Sequence, residues 1–556
     1  MMSLPSLNII TIQDNLNSSL QQQVQNYDGV VVVFAEKENL INVVPSFERQ
    51  LKLDKTFGKS IQIFCPHDQQ PSERILLAPI GSYDNDVDDA RRFKDAAFEA
   101  GKKAIEAGIQ KPLICFADPP TKDLQLNWTF DEKTHDYQHY LEVTMLGFLE
   151  ASYEPIDVRD HYLKTNTTLP TFEQLGFVVP NHGDLNDVSA VIKRVQAIEE
   201  GRRVAKDIGS PDPEQMSPIQ IVKYLESIFK NDKNVKMTVI DDVDVIKKEY
   251  PLAHAVTRAS LVVPRHHPRF VHFEYKSPDQ ASVKENLYFV GKGVTYDTGG
   301  ADIKCSGHMR GMSRDKCGAA AVAGFFKTIE NLQPKGINAT GGLALVRNSI
   351  GPDSYVSDEI IYSRNGNRVL VGNTDAEGRM VMTDLICEFK EKAIAHAQSE
   401  EVSGKKPSLI FTCATLTGHA LRAYGGYGIA LDNGFARKNQ VSKRIYDAGH
   451  ILADPFEIST LRREDVDCVQ PGRSSEDVIQ ANDKPSTATD RGHQYPAGFM
   501  LIASGLDKHG LNSKVLPIGF THLDVAGSAE TMTSVGWSLT RVTGSPVAAL
   551  TGAFLI

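Results

Sequence analysis

Runs of β-branched and aromatic residues alternate with helical stretches along the whole chain, and that alternation limits the fold more than any other feature. Gly29-Val30-Val31-Val32-Val33-Phe34 and Arg74-Ile75-Leu76-Leu77-Ala78 read as buried strands. Asp88 to Ala107 is charged and alanine-rich with helical spacing. Leu113-Ile114-Cys115-Phe116 resumes strand, and Tyr137 to Tyr153 reads as helix. The second half repeats the pattern. Residues 286–290, Gly341 to Val346 and Leu409 to Cys413 are strand-like, and 318–331 and 380–397 are helix-like. This alternation predicts an α/β fold with mostly parallel sheets flanked by helices.

A chain of 556 residues exceeds one typical core, so two domains are expected. The polar stretch Asn181-His182-Gly183-Asp184 marks the boundary. After it Val188, Val191, Ile192, Val195, Ile198 and Ile208 recur at helical spacing, up to a Gly209-Ser210-Pro211 stop. The expected layout is an N-terminal α/β domain over 1–183, a long linking helix over 184–208 and a C-terminal domain over 209–556.

Hydrophobic residues make up 41% and charged residues 23%, as in a soluble globular protein. The net charge of −10 argues against a general nucleic-acid surface. No run approaches the ~18 apolar residues of a membrane span. The start Met1-Met2-Ser3-Leu4-Pro5 lacks a basic, then apolar, leader. The seven cysteines are scattered and form no Cys-x-x-Cys pair, so reduced thiols and a cytoplasmic location are expected.

Two segments carry chemistry. Asn373-Thr374-Asp375-Ala376-Glu377-Gly378-Arg379-Met380 sets two carboxylates at i, i+2 with a guanidinium two further on. On an extended segment all three fall on one side. Upstream, Gly291-Lys292-Gly293-Val294-Thr295-Tyr296-Asp297 follows the apolar run Leu287 to Val290, and its glycines read as a loop after a strand. Lys304 and Asp315 come next. Alone, each residue has a plainer reading: a solvated loop acid, a surface lysine, a helix cap. Together they supply four carboxylates, two lysines and an arginine, poor core material but good surroundings for divalent cations. No His-Glu-x-x-His zinc motif is present.

The octapeptide resembles the signature of the leucyl (cytosol) aminopeptidase family, with Met380 in place of a common leucine. Lys292, Asp297, Lys304 and Asp315 fall where that family has its other metal and catalytic residues. Ala414-Thr415-Leu416-Thr417-Gly418 resembles its substrate-cleft loop. The resemblance covers roughly residues 185–556 and implies a two-metal aminopeptidase of short peptides, with a macro-like N-terminal domain. It implies metal ligands Lys292, Asp297, Asp315, Asp375 and Glu377, and catalytic roles for Lys304 and Arg379. It implies substrate contacts from Met312, Thr415, Leu416 and Gly418. Two divalent ions per subunit are implied, zinc or manganese first and magnesium or cobalt otherwise, with bicarbonate at Arg379. A homohexamer is implied as well. Alternatives are a Cys-Gly-type dipeptidase and a family member retained only as a binding scaffold.

Three charges depart from the family pattern: Asp302, Arg314 and Lys316. Two cations flanking Asp315 would repel metal ions if they pointed at them. The expectation is that both project away into ion pairs, with Asp302 as a partner.

Overall fold

The computed structural model describes residues 3–12, 16–66, 71–121, 124, 128–132, 134–180, 187–230, 234–305, 308–399, 406–472, 474–482, 484, 488–533 and 538–556. The expected boundary at 181–184 lies outside the described residues. The chain divides into two compact units, residues 1–199 with 450–454 and residues 200–449 with 455–556. It passes from one to the other inside the helix Val188–Ile208, the long helix expected from the apolar spacing.

The first unit holds a six-stranded sheet. Its strands are β1 (Ser6–Ile12), β2 (Gly29–Phe34), β3 (Gln62–Phe64), β4 (Ile75–Pro79), β5 (Pro112–Phe116) and β6 (Gln174–Pro180), in the order β1-β6-β5-β2-β4-β3. Every pairing is parallel except the edge pair β3/β4. All six residues of β2 are buried, which is why it reads as a continuous apolar run.

The second unit is built on β7 (Val235–Ile240), β8 (Arg269–Tyr275), β9 (Glu285–Asp297), β10 (Ile337–Asn348), β13 (Ser408–Ala414), β14 (Gly428–Asp432), β15 (Phe456–Thr460) and β17 (Ile518–Asp524). Their order is β15-β14-β17-β13-β9-β10-β8-β7, with a parallel centre of β17, β13, β9 and β10. A small sheet that the sequence reading did not anticipate pairs β11 (Ile360–Tyr362), β12 (Arg368–Leu370) and β16 (Val478–Ile479). The main core packs Val290, Val294, Leu385, Phe389 and Ile410 between sheet and helices. Among the described residues no helix is long and apolar enough to cross a membrane.

One local expectation fails. Gly291 and Gly293 do not open a loop; β9 runs through both to Asp297. Glycine is needed there for close approach rather than for a turn. A Cβ on Gly291 would lie 2.6 Å from Ala319 Cα, and one on Gly293 would lie 2.6 Å from the Ala344 carbonyl oxygen. Lys292 sits between them and so points to the opposite face of the sheet.

Candidate active site

The site forms where the parallel centre of the second sheet ends. β9 carries Lys292 in its body and Asp297 as its last residue. Asp315 lies two residues before the helix Cys317–Leu332. Glu377 is the first residue of the helix Glu377–Ser399, where a negative charge is favoured by the helix dipole. Asp375 precedes it in a turn. The 373–380 segment is therefore a turn entering a helix, not the extended strand expected. Its carboxylates converge because the chain bends, not because they alternate.

Oxygens of Asp297, Asp315 and Glu377 all lie within 4.8 Å of one another, and all three residues are buried. Lys292 Nζ sits 2.7 Å from Asp315 Oδ1 and 2.9 Å from Glu377 Oε1. It also donates to the Thr415 carbonyl at 3.2 Å. Lys304 Nζ sits 2.8 Å from Asp297 Oδ2 and also pairs with Asp375. The four carboxylates are thus arranged as two lysine-bridged pairs.

Burial and then the Glu377 charge raise the Asp297 carboxyl. Burial, against the pull of Lys292, holds the Asp315 carboxyl well above the usual range. Asp375 is pushed up to about 7 by burial and by Asp297 and Glu377. Burial would raise Glu377 too, but Lys292 and Lys304 outweigh it and lower that carboxyl. Burial disfavours both ammonium groups, yet their carboxylate neighbours win and shift both lysines upward. Such a cluster is short of positive charge, and its oxygen-rich donor set fits hard or borderline divalent cations.

Several supports were invisible in the sequence. Asn348, at the end of β10, donates from Nδ2 to Asp297 Oδ1 at 2.8 Å and to the Thr374 carbonyl at 3.1 Å. Gln480 clamps the octapeptide. Its Nε2 donates to the carbonyls of Asn373 and Ala376, both at 2.8 Å, and its Oε1 accepts from Gly372 N and Asn373 N, both at 3.0 Å. Asp524, the last residue of β17, accepts from Thr417 Oγ1 at 2.8 Å and from Leu416 N at 3.2 Å. A polar residue closing an apolar strand run was the one available signal, shared by Asn348 and Asp524.

A cavity of about 220 Å³ opens beside the cluster. Lys292, Lys304, Asp375, Glu377 and Arg379 line it on the polar side. Leu416 and Gly418 also line it, but Met312 and Thr415 are not among the lining residues. Thr415 is turned inward, its hydroxyl donating to Asp315 Oδ1 at 2.9 Å and its carbonyl facing Lys292. Met312 is half-buried in a short 3₁₀ turn with Ser313 and Arg314. Arg379 donates from Nη1 to the Gln480 carbonyl at 2.9 Å. Its Nε is buried and has no partner among the described residues, and burial lowers the guanidinium to about 10.

Of the three unusual charges, Arg314 meets the expectation and the other two depart from it. Arg314 does point away, pairing with Glu530 at 2.5 Å and donating to Thr540 Oγ1 at 3.0 Å. Lys316 forms no such ion pair. It is fully buried and donates to the carbonyls of Ser210, at 2.9 Å, and Ser313. Asp302 pairs with neither. It accepts from Thr374 N at 2.7 Å and from Thr374 Oγ1 at 3.0 Å, and so braces the turn that carries Asp375.

Comparison with known proteins agrees with this geometry. Residues 203–551 match the model of the cytosol aminopeptidase family, catalytic domain. A Caenorhabditis elegans protein named "Putative aminopeptidase W07G4.4" is 36% identical over 527 residues, 93% of this chain and 94% of that one. The "Probable cytosol aminopeptidase" of Helicobacter hepaticus is 31% identical over 333 residues, 60% of this chain and 64% of that one. The bottromycin maturation enzyme BotP, solved in complex with Mn, shares the fold with a TM-score of 0.70 at 17% identity, over 95% of this chain and 98% of that one. By the family match and by the length and identity of these alignments, the chain belongs to the cytosol aminopeptidase family.

Proposed function

We propose that the chain is a metal-dependent aminopeptidase that removes the N-terminal residue from short peptides. The observation that carries the reading is the convergence of Asp297, Asp315 and Glu377 within 4.8 Å, beside a cavity that Lys304 and Arg379 also line. Asp297, Asp315, Asp375 and Glu377 would hold two divalent ions, joined by Lys292 once its ammonium gives up a proton to the incoming charge. BotP was solved with Mn, so Mn²⁺ is the first ion to load, with Zn²⁺ next. When bound, the ions supply Lewis acidity toward a carbonyl oxygen and toward water.

The chain's own residues do the rest. Lys304 keeps its charge beside Asp297 and offers N–H donors to an oxygen that becomes negative during hydrolysis. Arg379 presents an unpartnered Nε for a small anion, and bicarbonate is the one the family resemblance implies. Leu416 and Gly418 wall the space for the substrate, while Thr415 holds Asp315 and Lys292 in place. The resemblance also supports a cytoplasmic homohexamer, which light scattering on the purified protein checks.

The test is Glu377→Ala. The variant should lose bound metal and nearly all hydrolysis of amino-acid amides. Near-normal turnover by metal-loaded Glu377→Ala protein refutes the assignment.

A further inference from the structure

Two histidines that the function leaves unused are bonded to each other just behind the cavity wall. His419 Nδ1 and His493 Nδ1 lie 2.8 Å apart, and the rings stack at 4.9 Å between centroids. His419 follows Gly418 at the start of the helix Gly418–Tyr424, and His493 follows Gly492. Both glycines line the cavity. The histidine pair therefore joins two separate wall segments, one ending the 415–418 loop and one within 488–494.

Each segment is otherwise anchored from its own side. Asp524 holds Leu416 and Thr417 from beneath. Arg491 pairs with Asp465 through Nε at 2.6 Å and through Nη2 at 2.7 Å, and donates to the Thr460 carbonyl at 2.7 Å. Arg491 also has φ of 57°, a left-handed conformation that a residue with a β-carbon adopts only under constraint. The His419–His493 bond crosses the gap between these segments.

Gln494 Nε2 donates to Ser459 Oγ at 3.1 Å, and Ser459 Oγ shares a hydrogen bond with His493 Nε2 at 2.9 Å, so both ring nitrogens of His493 are engaged. The edge of Tyr424 packs on the His493 ring at 5.5 Å, and His493 is almost fully buried. The His493 end of the bond is thus buried, while the His419 ring is partly exposed.

We propose that His419 and His493 are positioning residues, a clasp that fixes the width of the cavity between the 415–418 and 488–494 segments and so governs how tightly a peptide is held. The inference rests on the aminopeptidase reading for its effect on substrate, but not for the clasp itself.

The experiment compares wild type, His419→Ala and His419→Asn, all loaded with Mn²⁺. An asparagine places its amide where Nδ1 was and can donate to or accept from His493 Nδ1. Hydrogen–deuterium exchange is followed in peptides covering 415–424 and 488–495, and kcat and KM are measured on leucine and alanine amides. His419→Ala should speed exchange in both segments and raise KM up to about tenfold, the worth of one hydrogen bond, with kcat within about threefold. His419→Asn should restore both. Unchanged exchange in 488–495 overturns the clasp. Faster exchange with a fall in kcat at constant KM, unrescued by asparagine, overturns it too, because that is the pattern of a merely structural residue. If the wild type cleaves neither amide, the aminopeptidase reading fails, and exchange alone decides the clasp.

Discussion

Gly378→Ala sets two opposed effects against each other at one atom. Gly378 is the second residue of the helix Glu377–Ser399, and alanine is the better helix former by up to about 1 kcal/mol. A Cβ there would, however, lie 2.7 Å from both Lys292 Cε and Nζ and 2.6 Å from Leu416 Cδ1. Leu416 borders the cavity and can rotate into it. Lys292 cannot yield so cheaply, because it is buried and its ammonium is held by Asp315, Glu377 and the Thr415 carbonyl. Relieving the contact moves Nζ by somewhat under 1 Å, enough to stretch its ion pairs past good hydrogen-bond length. Removing one partner of a buried pair costs about 3–5 kcal/mol, and displacing it roughly half that, ~2 kcal/mol. The helix gain does not offset this. The expected result is a Tm lower by a few degrees, together with Mn²⁺ affinity weakened about tenfold, or ~1.4 kcal/mol. Differential scanning calorimetry and calorimetric metal titration read the two effects separately. A raised Tm with wild-type Mn²⁺ binding would refute the reasoning, because it would mean that Lys292 moves freely.

Three further outcomes follow from the same geometry. Lys304→Ala and Arg379→Ala should retain metal, read by elemental analysis, yet lose on the order of 10²–10³ in turnover, and collapse of metal content would make them structural or ligating instead. The double change Arg314→Ala with Lys316→Met should leave metal affinity and turnover within about tenfold, because neither cation points at the carboxylate cluster; a larger loss in either measurement contradicts that placement. Burial pushes the Asp384 carboxyl up to about 7, although the backbone N–H groups of Arg364 and Leu252 donate to it. A folded value above the unfolded ~3.9 means that the native state holds the extra proton in between, so this contribution is full below pH 4 and is lost as pH rises through 7. The slope of Tm against pH between 5 and 8 should be flatter in Asp384→Asn than in wild type, and equal slopes would remove Asp384 from the account.

The buried strands were legible because they lie at the centres of sheets covered on both faces, where sequence shows an unbroken apolar run; β2 and β4 are of this kind. The long helix was legible from its spacing. The seven charged site residues stood out because so many charges of both signs in short segments have no place in a core. What was hidden depends on distance along the chain. Gly291 and Gly293 look like turn residues until Ala319 and Ala344 are seen against them. The strands of the small sheet span two or three residues each, too short for any period to show. Asn348, Gln480 and Asp524 are single polar residues whose partners lie 26 to 108 positions away. Thr415 reads as a cleft residue, but its hydroxyl is spent on an aspartate 100 positions earlier.

The two site lysines answer a folding problem before they take part in chemistry. Four carboxylates cannot be gathered in a largely buried pocket without counter-charge, since each unpaired one costs several kcal/mol by rough estimate. Lys292 and Lys304 each bridge two of them, so the cluster can form as the chain folds. The upward shifts of Asp297, Asp315 and Asp375 show that two lysines do not fully offset four acids, which keeps the cluster avid for further cations. The lysines are not equivalent in this role. The Lys292 side chain is 4% exposed and is ringed by Asp315, Glu377 and the Thr415 carbonyl, so only a group that replaces its charge can take its place. The Lys304 side chain is 13% exposed, on a loop beside the half-open Asp375. Turning toward a substrate would take it from the buried Asp297, so a bound cation would have to stand in for it there. The division into one embedded lysine and one accessible lysine is what lets a single cluster hold its shape and still act on what enters the cavity.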